Sequence, residues 1–257
     1  MAALAPSLRP PVRPCVLVFA GLDPSGGAGI QADIEAIAAQ GAHALPVVTA
    51  LTVQDNDRVH AIEAVSDLVL RCQAGALLER MAIGAVKVGI PGNLANARAI
   101  ADVVRQLRET QPALPVVVDP VLASGHGDRL ADGDAAAILA PLLAVATVLV
   151  PNLPEAAALG ARLAGCPHVL VTGGHGGGHE VVNRWTSAAG ERAWRWPRLP
   201  GEFHGSGCTL ASSIAARLAL GEPMAQALEK GQRYCNQALA DAYAIAPGQR
   251  IPRRIHP

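Results

Sequence analysis

Short apolar runs and longer amphipathic stretches take turns along this chain. Residues 15–20 (CVLVFA) are continuously apolar, the pattern of a strand buried on both faces of a parallel sheet. The stretch IQADIEAIAAQ has helical spacing and ends at Gly41, a residue suited to a helix C-cap. The rhythm then repeats. Strands are predicted at 44–51, 85–88, 116–119, 147–150 and 168–172, and helices at 66–81, 94–108, 134–144 and 154–164. Such alternation predicts a parallel sheet covered by helices on both faces. Residues 180–186 and 191–196 alternate apolar and polar positions around Ala188-Ala189-Gly190, so two short antiparallel strands are expected there. Helices at about 207–220 and 223–244 close the pattern. No internal repeat or second boundary interrupts it. The expectation is a disordered lead-in at 1–14 and one α/β domain over 15–257.

Composition narrows the class. Half of the 257 residues are apolar (51%), so there is ample material for a core. Lys plus Arg (21) balances Asp plus Glu (21), which leaves no basic footprint for nucleic acid. The basic positions Arg250, Arg253 and Arg254 read as a solvated, frayed terminus. Cys15, Cys72, Cys166, Cys208 and Cys235 are scattered without a CxxC pair, which excludes a zinc knuckle or a disulfide framework. Reduced thiols fit a cytoplasmic enzyme. The proline-rich N-terminus has no signal-peptide core, and no apolar run reaches membrane-spanning length, so no membrane partner is expected.

The chemistry concentrates at Phe203-His204-Gly205-Ser206-Gly207-Cys208-Thr209, which runs into the helical stretch LASSIAARLAL. A tight turn opening a helix leaves backbone N–H groups without partners at the positive end of the dipole. Gly205 and Gly207 let an anion approach them, as a phosphate or a transferring phosphoryl group would. A thiol at that helix start is expected to be unusually acidic. The plainer reading is a turn with a small apolar cysteine.

Asp23, Asp33, Gln54, Asp119, Asn152, Glu155 and Gly173-Gly174 all fall just after predicted strands or early in the next helix. Ligands of open α/β sheets bind there, so one shared site is expected. Residues 21–29 carry SGGAG rather than GxGxxG, and Gln54 stands where a dinucleotide fold wants an acidic residue. Asn152 and Glu155 can hold a hydrated Mg²⁺ on the first turn of a helix, or can simply be its capping box; spacing alone favours the cap. Asp119 before Pro120 is a turn initiator or extra negative charge at a cation site. His175 and His204 lie in glycine-rich loops, of which 173–180 (GGHGGGHE) reads as flexible.

Taken together, GLDPSGGAGIQAD (21–33), VVTALTVQDN (47–56), VKVGI (86–90), VVVDPVLASGHGD (116–128), VPNLPEA (150–156), VTGGH (171–175) and HGSGCTLASSIAA (204–216) resemble the hydroxymethylpyrimidine/phosphomethylpyrimidine kinases of thiamine biosynthesis. The resemblance covers roughly residues 15–245. It implies a ribokinase-like three-layer α/β/α sandwich, its mostly parallel central sheet carrying a short antiparallel edge. The pyrimidine would lie among Gly21, Asp33, Gln54, Ile90 and Val121. ATP would approach from Asn152, Thr172, Gly174 and His204. Mg²⁺ would be held by Glu155, Asn152 and Asp119. Gly205, Ser206, Gly207 and Cys208 would form the anion hole, with Cys208 taking the proton of the substrate hydroxymethyl group. The family phosphorylates the alcohol to a monophosphate and this to a diphosphate. Apart from the resemblance, a homodimer is expected, since an exposed edge of the 180–196 strands could pair two subunits.

The chain departs from the family pattern at three places. Ile90 replaces a common Met, Thr172 replaces a common Lys, and the segment from Glu155 to Val169 is short, as if a helix were missing. Two other readings follow: a vitamin B6 kinase acting on a similar hydroxymethyl ring, and a pyrimidine-binding protein that has lost catalysis.

Overall fold

The computed structural model describes residues 12–122, 127 and 134–255. Part of the 1–14 lead-in and part of the 116–128 motif therefore lie outside the described residues. The organising strand is β1 (Cys15–Leu22), whose alternate residues face opposite layers. Leu17 and Phe19 enter one core while Val16, Val18 and Ala20 enter the other. This is why the run is continuously apolar: period-2 alternation meets a hydrophobic layer on each side.

After α1 (Gly29–Ala39) comes β2 (His43–Gln54), then β3 (Val59–Ala64), α2 (Asp67–Leu78) and β4 (Ile83–Val88). Next are α3 (Leu94–Thr110), β5 (Val116–Val118), α4 (Ala135–Leu143), β6 (Val148–Leu149) and α5 (Leu153–Leu159). The chain ends with β7 (His168–Val171), β8 (Glu180–Ser187), β9 (Gly190–Pro197), α6 (Ser206–Ala219) and α7 (Met224–Ala240). The sheet order is β3-β2-β1-β4-β5-β6-β7-β8-β9. Strands β2, β1, β4, β5, β6 and β7 pair in parallel in that order, whereas β3 and the β8–β9 hairpin are antiparallel. Helices α2, α3 and α4 cover one face, and α1, α6 and α7 the other. The expected three-layer fold is present.

Three details differ from the sequence reading. Strand β3 was not expected, and β2 runs three residues beyond the predicted end at Leu51. No residue of β3 is buried, so it carries no apolar alternation to reveal it. Its hairpin is set by Asp55, whose carboxylate accepts from the N–H groups of Asp57 and Arg58. The predicted 154–164 helix is α5 followed by a 3₁₀ segment, Gly160–Gly165, with Gly160 at φ +50°. The short link thus contains tight turns instead of a further helix. Finally, Arg254 is not a frayed end. It is among the most buried side chains, 1% exposed.

The strand order reverses between β1 and β4, since β2 lies on one side of β1 and β4 on the other. That switch point opens a crevice at the carboxyl ends of the strands.

Candidate active site

A cavity of about 580 Å³ occupies this crevice. Gly21 lies one residue before the end of β1, Gln54 ends β2, Ile90 follows β4 and Val121 follows β5, and all four line it. Gly21 and Ile90 are in close approach: a Cβ on Gly21 would lie 2.7 Å from Ile90 Cδ1, so the isoleucine would have to shift. Gln54 donates one amide hydrogen to Thr52 Oγ1 at 2.7 Å, which orients the rest of the amide. Asp33 is not brought to the wall. It is fully buried one layer behind, where it accepts from Lys87 Nζ at 2.8 Å and from Ser212 Oγ at 2.6 Å.

Lys87 is the functional candidate missed in sequence. Its side chain has no solvent exposure, yet it lines the cavity floor. Burial pulls its pKa down, but Asp33, Cys208 and Asp119 together hold the ammonium protonated well above its ordinary range. A lysine inside the apolar run VKVGI was the available signal, since a buried charge needs a partner.

The anion turn is built as its sequence suggests. Gly205 adopts a left-handed conformation, φ +77°, as N-cap of α6, and no described side chain caps the helix. Gly205, Ser206, Gly207 and Cys208 all line the cavity. The first N–H groups of α6 are therefore left for a ligand. Cys208 departs from the expectation of an acidic thiol. Burial pushes it up to about 11, the Asp33 and Asp119 carboxylates add to the rise, and Lys87 and the Gly29 backbone oppose it. The stabilisation of a thiolate by a helix start is outweighed here by desolvation.

Asp119 lies beside the same turn; a Cβ on Gly207 would sit 3.2 Å from its Oδ2. Burial raises its pKa to about 6, with Lys87 opposing and Asp33 reinforcing the shift. Asn152 and Glu155 form the capping box: Asn152 Oδ1 accepts from Glu155 N at 2.9 Å, and Glu155 Oε2 accepts from Asn152 N at 2.8 Å. Both residues nevertheless line the cavity. Glu155 is pushed up to about 8, first by burial and then by the Asp119 carboxylate. The cap and the cavity wall are thus one structure.

Thr172 and Gly174 also line the cavity. Thr172 is tied by its N–H to Pro151 O at 2.8 Å. The glycine-rich loop that reads as flexible is gathered by Arg198, which donates to Gly174 O at 2.7 Å, Gly178 O at 2.8 Å and Gly173 O at 3.3 Å. His175 lines the cavity too, and His204 reaches it while its Nε2 lies 2.8 Å from Asp23 Oδ2. Against burial, which raises it, hydrogen bonds from His204 and Ser25 hold the Asp23 carboxyl below its ordinary range.

The two carboxylates share a site, where Asp119 helps to raise Glu155, and they present the hard oxygen donors that Mg²⁺ takes. Among the described residues no group of three or more His, Cys, Asp or Glu side chains is arranged to hold a metal. A pair of carboxylates suits an ion that keeps most of its water and needs few protein ligands.

The chain is similar to known proteins along most of its length. A protein of Mycobacterium bovis named hydroxymethylpyrimidine/phosphomethylpyrimidine kinase is 37% identical over 264 residues, covering 94% of each chain. The solved phosphomethylpyrimidine kinase of Clostridium difficile superposes with a TM-score of 0.74 at 29% identity, covering 87% of this chain and 98% of that one. An ADP complex of Bacillus subtilis pyridoxal kinase superposes with a TM-score of 0.83 at 21% identity, covering 94% and 97%, and at that identity it shows the shared ribokinase-like fold alone. The family described as phosphomethylpyrimidine kinase matches residues 23–252. With nine-tenths of its length matched and its site in the crevice where the strand order reverses, the chain belongs to the phosphomethylpyrimidine kinase family of phosphotransferases.

Proposed function

We propose that residues 15–257 form one kinase domain that uses MgATP to phosphorylate 4-amino-5-hydroxymethyl-2-methylpyrimidine and then its monophosphate, in thiamine biosynthesis. One observation carries the reading. A single cavity places the amide of Gln54, the uncapped helix start at Gly205–Cys208 and the carboxylates of Asp119 and Glu155 around the same space. Gln54 offers a donor and an acceptor to an aminopyrimidine edge, and Ile90 and Val121 supply apolar walls.

In the first step the hydroxymethyl oxygen forms a bond to the γ-phosphorus, and the bond to the leaving ADP oxygen breaks. The N–H groups of the anion turn face the charge that develops on the transferring group. The Cys208 thiolate accepts the hydroxyl proton. With its thiol pushed up to about 11, that form is scarce near neutrality, so positioning and charge stabilisation supply most of the acceleration. Asp119, Glu155 and Asn152 would hold Mg²⁺, which when bound neutralises nucleotide phosphate charge. In the second step the acceptor is a phosphate oxygen and needs no base.

The test is ADP release with hydroxymethylpyrimidine, its monophosphate and pyridoxine in parallel, for the wild type and Cys208→Ala. The expected result is turnover on the two pyrimidines with pyridoxine slower, and a loss of about 10²-fold for Cys208→Ala on the alcohol against a much smaller loss on the monophosphate. Faster turnover of pyridoxine would replace the substrate assignment. Equal losses on both pyrimidines would remove the base role. A cytoplasmic setting and a homodimer belong to the same proposal. No described helix is long and apolar enough to cross a membrane, and among the described strands β3 and β9 stand at the two ends of the sheet order. Sedimentation at assay concentration tests the dimer.

A further inference from the structure

Arg254 is the most unexpected charge in the molecule. Its side chain has no solvent exposure. A buried ion pair is often no better for stability than apolar packing, so a guanidinium in this place calls for a reason of its own. Its donors supply one. Nε donates to Thr209 Oγ1 at 2.8 Å, Nη2 donates to the carbonyls of Gly27 and, at 3.5 Å, of His204, and Nη1 pairs with Glu35 at 3.3 Å. These contacts bring together the turn after β1, the anion turn, the start of α6 and the middle of α1. The approach is close: a Cβ on Gly205 would lie 2.9 Å from Arg254 Nη2.

The peptide plane turns these contacts into orientation. In a trans peptide the C=O and N–H point in opposite directions, so fixing one aims the other. Holding the His204 carbonyl from behind points the Gly205 N–H away from Arg254. Thr209 Oγ1, which accepts from Arg254, itself donates to Gly205 O at 2.8 Å, and this aims the Ser206 N–H. The Gly27 carbonyl does the same for the Ala28 N–H, which donates to Asp23 Oδ2 at 2.7 Å. Asp23 in turn holds His204. A positive charge thus sits behind the turn and sets the direction of its first donors.

We propose that Arg254 is a positioning residue for phosphoryl transfer, acting through Thr209 and the His204 and Gly27 carbonyls to fix the donors of the anion turn. The proposal deepens the kinase reading and rests on it. Donors aimed at the transferring group act in the transition state more than on the bound substrates, so the effect belongs in kcat.

The experiment measures kcat and KM with hydroxymethylpyrimidine and MgATP for Arg254→Lys, Thr209→Val, Thr209→Ser and Glu35→Gln, each below its own unfolding temperature. Hydrogen exchange of the 204–209 amides is measured on the same samples. Arg254→Lys is expected to lose at least about tenfold in kcat with KM within about threefold, and to exchange faster at 204–209. Thr209→Val moves the same way, while Thr209→Ser, which keeps the hydroxyl, and Glu35→Gln stay within about twofold. A folded Arg254→Lys with kcat within about twofold of wild type overturns the proposal. If Arg254→Lys does not fold, Thr209→Val decides, and a kcat equal to that of Thr209→Ser overturns it. If wild-type protein transfers no phosphate to the pyrimidine, the substrate reading fails separately. Exchange then decides the clamp, and unchanged exchange at 204–209 sinks it.

Discussion

Two glycine-rich turns border the same cavity, and each has an arginine bonded to its carbonyls. At 173–178 the arginine is Arg198, half-exposed, holding Gly173, Gly174 and Gly178 from the rim. At 204–208 it is Arg254, buried, with Asp23–His204 and Lys87–Asp33 close by. The first turn is fastened by contacts that water can replace. The second is fastened by charges that are buried together with their partners. Losing an exposed hydrogen bond exchanges it for one to water, whereas losing one member of a buried pair strands the other. The anion turn is therefore held mainly by buried contacts, and the glycine loop mainly by exposed ones.

The sharpest test of that contrast is Lys87→Met. It leaves Asp33 buried with Ser212 alone, and is expected to destabilise the fold by about 3–5 kcal/mol. Adding Asp33→Asn should recover more than half of the loss, as read from denaturant midpoints. A single variant as stable as wild type would mean that the floor of the anion side is not held by its ion pair.

Glu155→Gln sharpens the comparison through pH. Gln can still complete the capping box, so only the charge is removed. The folded-state pKa of Glu155 is raised to about 8, above its unfolded value of about 4.3, so the folded state binds the extra proton between them. Its contribution is fully present below the unfolded value and is lost as pH rises through about 8. Without divalent cations, the melting temperature of the wild type should fall relative to Glu155→Gln between pH 5 and pH 8.5. Parallel curves would show that Glu155 carries no buried charge.

The smallest effect is expected from Arg198→Ala. Stability should change by no more than about 1 kcal/mol, while KM for ATP rises severalfold and KM for the pyrimidine stays fixed. A large stability loss would erase the difference between the two turns.

Much of this architecture was legible before the fold was known. The strand–helix rhythm placed the parallel strands because a buried strand is apolar throughout and a helix repeats near every fourth residue. The glycines of GSGC marked a turn onto a helix start, and Gly205 does take the left-handed conformation such a turn requires. Strand β3 was illegible because an edge with no buried residue has no pattern to show. Cys208 was read as acidic from its place at a helix start, which sequence reports, against a desolvation that only packing reveals. Asp33 was placed against the ligand, since sequence puts it near the strand end without showing that Lys87 takes its carboxylate.

By itself, then, the sequence determined the order of layers, the turn chemistry and the family, because these depend on neighbours a few residues apart. Tertiary structure alone decided which charges pair and which carboxylates are pushed above their ordinary range. Arg254 meets Thr209 across 45 residues, Lys87 meets Asp33 across 54, and His204 meets Asp23 across 181. No local period records such distances. The strength of those pairs comes from burial, which belongs to the folded chain and to no segment of it.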